Sequence, residues 1–598
     1  MKRKIGFSTL VVALLLSTLL FAVPVQAASG AKGVPAKSVD LWLTVLHNSD
    51  AESKLVNLGG ALSDFGGAAR FKTLVDQLKW NATHGTRYMG QTGAKRAVLM
   101  VSSGDNFLAG PEFTASMTKG VPYYDTIAMD LIGYNAVCIG NHDFDFGPDV
   151  LADFISGFKL TKPPFLSANL DFSDEPSLEA LVKSGRIAKS TIVNERGEKI
   201  GIIGAITPLL PSISSPRMVH VIADVAGAIN GEVHKLMAKG VNKIILISHM
   251  QALAEDKALI AQLDDVDVVV AGGSDSLLAN SGDLLIPGEA PPVGPYPLTG
   301  TLDMDGVSVP IVTVPGSYAY VGKLVVGFDK AGKVVAFGND SGPVRVAGDA
   351  LPDAVKPDPV MTKLVTNPVA AALAQYASHQ LAVSEVPLDG LKADVRTKET
   401  NEGDLIADSL LWKGAQLAPL YGAPVPDVAI QNSGGIRNNS IIPAGPITEL
   451  DTFSIAPFAN FIAVLPNVSR DIFKAALENS VSAIVNIDGR FPQIAGFKFT
   501  YDFALTTGSR VREVELLDAA HTKIVTGGVV VPGPGLSIST NDFTARGGDF
   551  YPFAGLPFVV LGASYQQGLS DYLVTGLNGK ITAAQYPVGG TGRITRLN

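Results

Sequence analysis

The chain has 598 residues, of which 46% are hydrophobic and 17% charged, with a formal net charge of −9. That length exceeds a single hydrophobic core and predicts two large domains with connecting segments, while the composition excludes wholesale disorder. The negative balance, without any long basic block, excludes a general surface for a nucleic-acid polymer, whose phosphates are held through clustered Lys and Arg.

In chain order, residues 1–27 come first (MKRKIGFSTLVVALLLSTLLFAVPVQA): a basic start, an apolar stretch and a small-residue exit at Val25-Gln26-Ala27. This layout is that of a signal peptide cleaved after Ala27, with an uncleaved anchor as the alternative. It predicts a periplasmic or secreted protein that leaves the membrane once cleaved, since no other stretch is long and uncharged enough to span a bilayer. A short Gly/Ala/Ser/Lys stretch, 28–38, is expected to be flexible. The only cysteine, Cys138, lies inside an apolar run, so an internal disulfide is impossible and a buried inert thiol is expected.

Five short apolar runs follow, each breaking off into a polar cluster: LWLTVLHNSDAE (41–52), AVLMVSSGDN (97–106), AVCIGNHDFD (136–145), KIILISHMQ (243–251) and VDVVVAGGSDS (266–276). Such runs read as buried strands, and helix-like segments at 67–80 and 252–263 separate them, which predicts a mostly parallel α/β sheet. Ligands of such sheets sit off the carboxyl ends of the strands, where Asp50, Glu52, Asp105, Asn141, His142 and His249 would gather. From Leu284 to Phe337 alternating apolar and polar residues with Gly, Pro and Asp turns predict antiparallel strands closing the first domain, 39–345. The Pro- and Asp-punctuated segment 348–364 and the helix-like 367–381 read as a connection, 346–381. The remainder, 382–598, mixes a helix-like 402–416 with strands such as 497–502 and 511–518, and reads as α+β.

Divalent metals need carboxylates, neutral imidazoles or amide oxygens on rigid elements, which strand ends supply. Taken singly, an Asp after Gly is commonly a turn residue and a strand-end His commonly structural. Their recurrence at four strand ends points to a shared metal site.

LHNSDAE, SSGDNF, GNHDFDFG and ISHM, in that order and spacing, resemble the metallophosphoesterase (calcineurin-like) half of the bacterial 5′-nucleotidase family. QNSGGIRNN (431–439), GRFPQIAGFKFTYD (489–502) and TNDFTARGGDFY (540–551) resemble that family's C-terminal domain. The resemblance implies layered β sheets with flanking helices, followed by an α+β substrate-binding domain. It implies that Asp50 binds a first metal, Asp105 bridges two, and Asn141 and His249 bind the second. His142 with Asp145 would steady the departing oxygen, the alternatives for His142 being a further metal ligand or a loop hydrogen bond.

The chain resembles a variant type of this family. Asp50-Ala51-Glu52 stands where Asp-x-His is usual, and Gly273-Ser274-Asp275-Ser276 where Gly-His-x-His is usual. Glu52 and Asp275 put carboxylates in or beside those places, so two divalent cations in an oxygen-rich site are expected, with Mn²⁺, Mg²⁺ or Ca²⁺ favoured over Zn²⁺. In the second domain the resemblance implies phosphate or ribose contacts from Asn432 and Arg437, and Lys398 where an Arg is common. It further implies a nucleobase held between Phe491 and Tyr551, the alternative being that both are simply core or turn aromatics; Phe550 departs from the Gly that relatives often carry. The implied function is an exported metal-dependent hydrolase of nucleotides, acting on nucleoside monophosphates or nucleotide sugars. A broad phosphomonoesterase or cyclic phosphodiesterase, and a non-catalytic nucleotide-binding protein with a lapsed metal site, are the alternatives.

Overall fold

The computed structural model describes residues 39–84 and 94–598, so the expected signal segment and the 28–38 stretch lie outside the described residues. The first three apolar runs form parallel neighbours β1 (Leu41–Asn48), β2 (Lys95–Ser102) and β3 (Ala136–Cys138) in an eight-stranded sheet. The fourth and fifth runs do not join them. Ile244–His249 and Val268–Gly272 are parallel neighbours in a second, six-stranded sheet. The expected single sheet is therefore two, and strand alternation gives the reason. In β1, Leu41, Leu43 and Val45 share one buried cluster with Ile245, Ile247, Val268 and Val270 of the second sheet. Leu46 instead packs among residues of the helix Ala68–His84. On the second sheet Ile244 and Leu246 turn towards the helix Val225–Met237. Each sheet is buried on both faces, so continuous apolar runs cannot reveal which strands share a sheet.

The expected antiparallel strands after Leu284 are divided between the sheets. Leu298–Leu302 and Ser308–Val312 pair antiparallel in the second, while Tyr320–Phe328 runs antiparallel to β1 in the first. A helical segment, Pro359–Ser378, follows in the expected connection. Met361, Val365 and Val369 anchor it in the core of the first half, and its later part packs against both Pro111–Lys119 and Glu449–Ile455.

The second half carries two five-stranded sheets. One has Val428–Asn432 beside Pro492–Ala495 and Leu536–Asn541; the other contains the antiparallel pair Phe497–Asp502 and Val511–Leu516. The long helix Asn401–Leu417 is N-capped by the Thr400 side chain, which accepts from the Gly403 N–H. Among the described residues no helix is long and apolar enough to cross a membrane.

Candidate metal centre

Just beyond β1 and β2 the chain enters an unusual backbone. Asp50, Glu52 and Asp105 are in the left-handed region with φ of 49°, 48° and 49°, which for residues with a Cβ costs on the order of 1–3 kcal/mol each and persists only where surroundings over-determine it. Two bonds cross-link the strained loops: the Asp50 N–H donates to Gly104 O at 2.9 Å and the Glu52 N–H to Asp105 O at 3.2 Å. Gly104, with φ +100°, allows the approach, because a Cβ there would lie 2.7 Å from His249 Nδ1. A Cβ on Gly140 would lie 2.2 Å from Asp105 Oδ1.

These loops bring two groups of donors together. The ligand atoms of Asp50, Asp105 and His249 lie within 4.8 Å of one another, as do those of Glu52, Asp105 and His142, so Asp105 belongs to both groups. His249 Nε2 is 3.0 Å from Asp105 Oδ2 and 3.0 Å from Asn141 Oδ1, which adds Asn141 to the first group. His249 Nδ1 donates to Ser103 O at 2.7 Å, and a carbonyl can only accept, so the ring's other nitrogen is the one turned inward. Asp275 is exposed and stands outside both groups, though its charge reaches Glu52.

Burial dominates the electrostatics, and crowded carboxylates add to it. Burial raises the Asp50 carboxyl to about 6, with His249 opposing and Asp105 reinforcing the rise. Burial lifts Glu52 to about 8, partly offset by His142 and reinforced by Asp50, Asp105 and Asp275. Burial works against the His249 imidazolium, yet Asp105 and Asp50 outweigh it and hold the ring at about 9. Asp50, Glu52 and His249 thus hold protons that a divalent cation would displace, leaving ionised carboxylates and a neutral imidazole as its ligands. The donor set fits hard cations.

Beside this nest, His142 Nδ1 donates to Asp145 Oδ2 at 2.7 Å, and the His142 N–H donates to Asp105 Oδ1 at 2.8 Å. Burial disfavours the imidazolium, but Asp145, Asp105 and Glu52 together hold His142 protonated well above its ordinary range. A protonated ring beside the donor groups can give a proton to an oxygen that departs.

The second half presents a different picture. Phe491 and Tyr551, expected to hold a base between them, are only 1% and 2% exposed and lie in the core with Phe473, Phe497 and Phe553. The Tyr551 hydroxyl is turned inward, donating to Arg490 O at 2.8 Å. Neither ring offers a face to a ligand here, because the strand Pro492–Ala495 and the turn at 548–550 carry both into the sheet's packing. Asn432 is equally committed: its Oδ1 accepts from Asn541 Nδ2 at 2.8 Å and its Nδ2 donates to Asp549 Oδ2 at 2.7 Å. Arg437 is exposed, its guanidinium 5.3 Å from the Phe458 ring. Lys398 is exposed and paired with Asp394 at 3.1 Å, whereas Arg396, which no motif marked, is half-buried, its guanidinium held below its usual range by burial and then by the charge of Arg437. The aromatic that does face outward is Phe550, 78% exposed, at φ 61° and with the Arg490 guanidinium 4.9 Å from its ring.

Two residues of the quoted runs that were given no role also take part. Gln251 Nε2 donates to Asn141 Oδ1 at 2.9 Å. Asp143, inside the quoted GNHDFD run, accepts from the N–H groups of Gly140 and Asn106 and from the Asn106 side chain, tying the β2 and β3 loops together. Gln251 sits two residues past His249, and its placement depends on the turn that follows the strand.

Residues 380–555 match the family model of the 5′-nucleotidase C-terminal domain. The chain is 30% identical over 490 residues to a 5′-nucleotidase of Bos taurus, covering 79% of this chain and 78% of that one. Among solved structures, the 5′-nucleotidase precursor of Thermus thermophilus is 31% identical with a TM-score of 0.66, over 93% of this chain and 99% of its own. A putative 5′-nucleotidase of Staphylococcus aureus shares the fold at a TM-score of 0.67 and 14% identity, over 93% of this chain and 99% of its own.

Proposed function

The chain belongs to the 5′-nucleotidase family and is a phosphoric ester hydrolase, and we propose that it is an exported enzyme releasing phosphate from nucleoside monophosphates or nucleotide sugars. The observation that carries this reading is the pair of donor groups sharing Asp105. Asp50, Asp105, Asn141 and His249 would hold one divalent cation, which departs from the separate metals expected for Asp50 and for Asn141 with His249, and Glu52 with Asp105 a second, with Mn²⁺, Mg²⁺ or Ca²⁺ preferred. Cations held there would supply Lewis-acid polarisation of the phosphoryl group and would activate a water. The chain's own part is to orient and to move a proton. Asp145 holds the His142 ring, and His142 passes its proton to the ester oxygen as its bond to phosphorus breaks. The exposed Arg437 and Lys398 would meet the substrate's phosphate and ribose, and the exposed Phe550 its base. Export rests on the N-terminal segment 1–27.

A second reading, a broad phosphomonoesterase, is favoured by one observation: Phe491 and Tyr551 are packed in the core and give a base no sandwich. Phosphate release from AMP, ribose 5-phosphate and 4-nitrophenyl phosphate distinguishes the two. Activity is expected to rise with added Mn²⁺ and to fall by about a thousandfold in Asp105→Ala, with loss of bound metal measured by elemental analysis. A metal-replete wild type inactive on all three esters would end both readings.

A further inference from the structure

Asp145 is held from two sides. Its Oδ2 takes the His142 proton donor, and its Oδ1 accepts from Ser214 Oγ at 2.8 Å. Ser214 is 7% exposed and ends the short helix Leu210–Ile213, its own N–H donating to Leu210 O at 3.0 Å. Nothing in the local sequence, LLPSISSP, marks it as part of a site.

The segment that carries Ser214 is also where the two halves of the chain meet. A small cavity is lined by Asp145, Ser214 and Ser215 from the first half and by Asn460, Asp542 and Arg546 from the second. Arg546 Nη2 lies 3.4 Å from Ser215 Oγ and 3.1 Å from Asp542 Oδ2. Asp542 is buried and feels the charge of Asp145 across the gap. Two carboxylates from different halves therefore face one another, with Arg546 as the cation between the second half and the 213–215 segment. The same short helix, Asp542–Ala545, supplies Thr544, whose hydroxyl donates to Asn432 Oδ1 at 3.2 Å. One element thus touches both the recognition side and the segment that steadies the proton donor.

We propose that Ser214 is a positioning residue for the His142–Asp145 pair, and that docking of the Asp542–Ala545 helix, through Arg546 at its end, on residues 213–215 sets its position. With the Ser214 bond made, Asp145 cannot rotate about its terminal torsion without losing one of two bonds, so the His142 ring keeps a single orientation towards the leaving oxygen. Without it, Asp145 Oδ1 is free to swing and the ring loosens. The substrate half would then influence catalysis through placement of a proton donor as well as through binding.

This inference rests on the proton-donor role given to His142 above, and the experiment separates the two. The full-length, metal-loaded enzyme is assayed on AMP, whose ribose alkoxide is a poor leaving group, and on 4-nitrophenyl phosphate, whose phenolate leaves without help. Ser214→Ala is expected to lower kcat on AMP about tenfold with KM unchanged, and to leave kcat on 4-nitrophenyl phosphate within about twofold. Ser214→Thr keeps the hydroxyl and is expected to restore the AMP rate. Arg546→Ala is expected to show the same leaving-group dependence, and the double variant to be no worse than the poorer single one. His142→Asn is measured alongside. Equal losses on both esters for His142→Asn would remove the proton-donor role itself. If His142→Asn discriminates between the esters but Ser214→Ala does not, or if the Ser214 and Arg546 effects simply multiply, the positioning inference is overturned.

Discussion

At the candidate metal centre, polar side chains meet across strained backbone; in the second half, three of the five residues expected to touch substrate are buried. Asp50, Glu52 and Asp105 hold left-handed conformations, and two glycines make room for the contacts between their loops. Phe491, Tyr551 and Asn432 are instead buried, their polar atoms bonded within the protein. A motif therefore specifies its backbone context more firmly than the exposure of its side chains. Metal ligands cannot be satisfied by apolar packing, whereas an aromatic ring suits a ligand pocket and a core equally well.

The most direct challenge to this contrast is Phe491→Ala. If the ring is core, the substitution leaves a cavity among Phe473, Phe497 and Tyr551 neighbours and should cost about 3–5 kcal/mol of stability. The measurement is denaturant unfolding of the isolated protein. A variant as stable as wild type but with a raised KM for AMP alone would return Phe491 to the base site and dissolve the distinction drawn between the two regions.

How much could be read beforehand follows the same division. The strand ends carrying Asp50, Asp105, Asn141 and His249 were legible because apolar runs ending in polar clusters recur four times, and the structure brings those residues together. The split into two sheets was not legible, since every strand buried on both faces reads alike. Asp275 was placed by its neighbourhood in GGSDS; the turn after Gly273, at φ +80°, leaves it exposed. Ser214 and Gln251 reach the site through single contacts that no spacing rule encodes.

A smaller effect tests the metal centre's side of the contrast through pH. Without a cation, Asp50, Glu52 and His249 hold protons up to about 6, 8 and 9. A cation binds the deprotonated forms, so binding expels protons and affinity must rise with pH across that window. The expected slope is about tenfold tighter binding per pH unit for each proton released. Calorimetry of Mn²⁺ binding to metal-stripped protein, in two buffers of different ionisation heat, reads both the affinity and the protons. Pairing by burial alone, with no cation site, would give weak binding independent of pH.

The weakest effect bears on the recognition side, at Phe550. Its exposure and its left-handed φ of 61° are an unfavourable combination for an aromatic residue, partly offset by the Arg490 guanidinium 4.9 Å from its ring. Phe550→Gly should therefore raise stability by roughly 1 kcal/mol, because glycine adopts this conformation without strain. If the ring stacks on a base, the same substitution should raise KM for AMP by about tenfold, as loss of one stacking face does, and leave KM for ribose 5-phosphate unchanged. The two readouts move in opposite directions. A stabilised variant with unaltered KM for AMP would make Phe550 a surface residue without a ligand, and base recognition in this chain would then have to come from Arg437, Arg396 and the backbone around them.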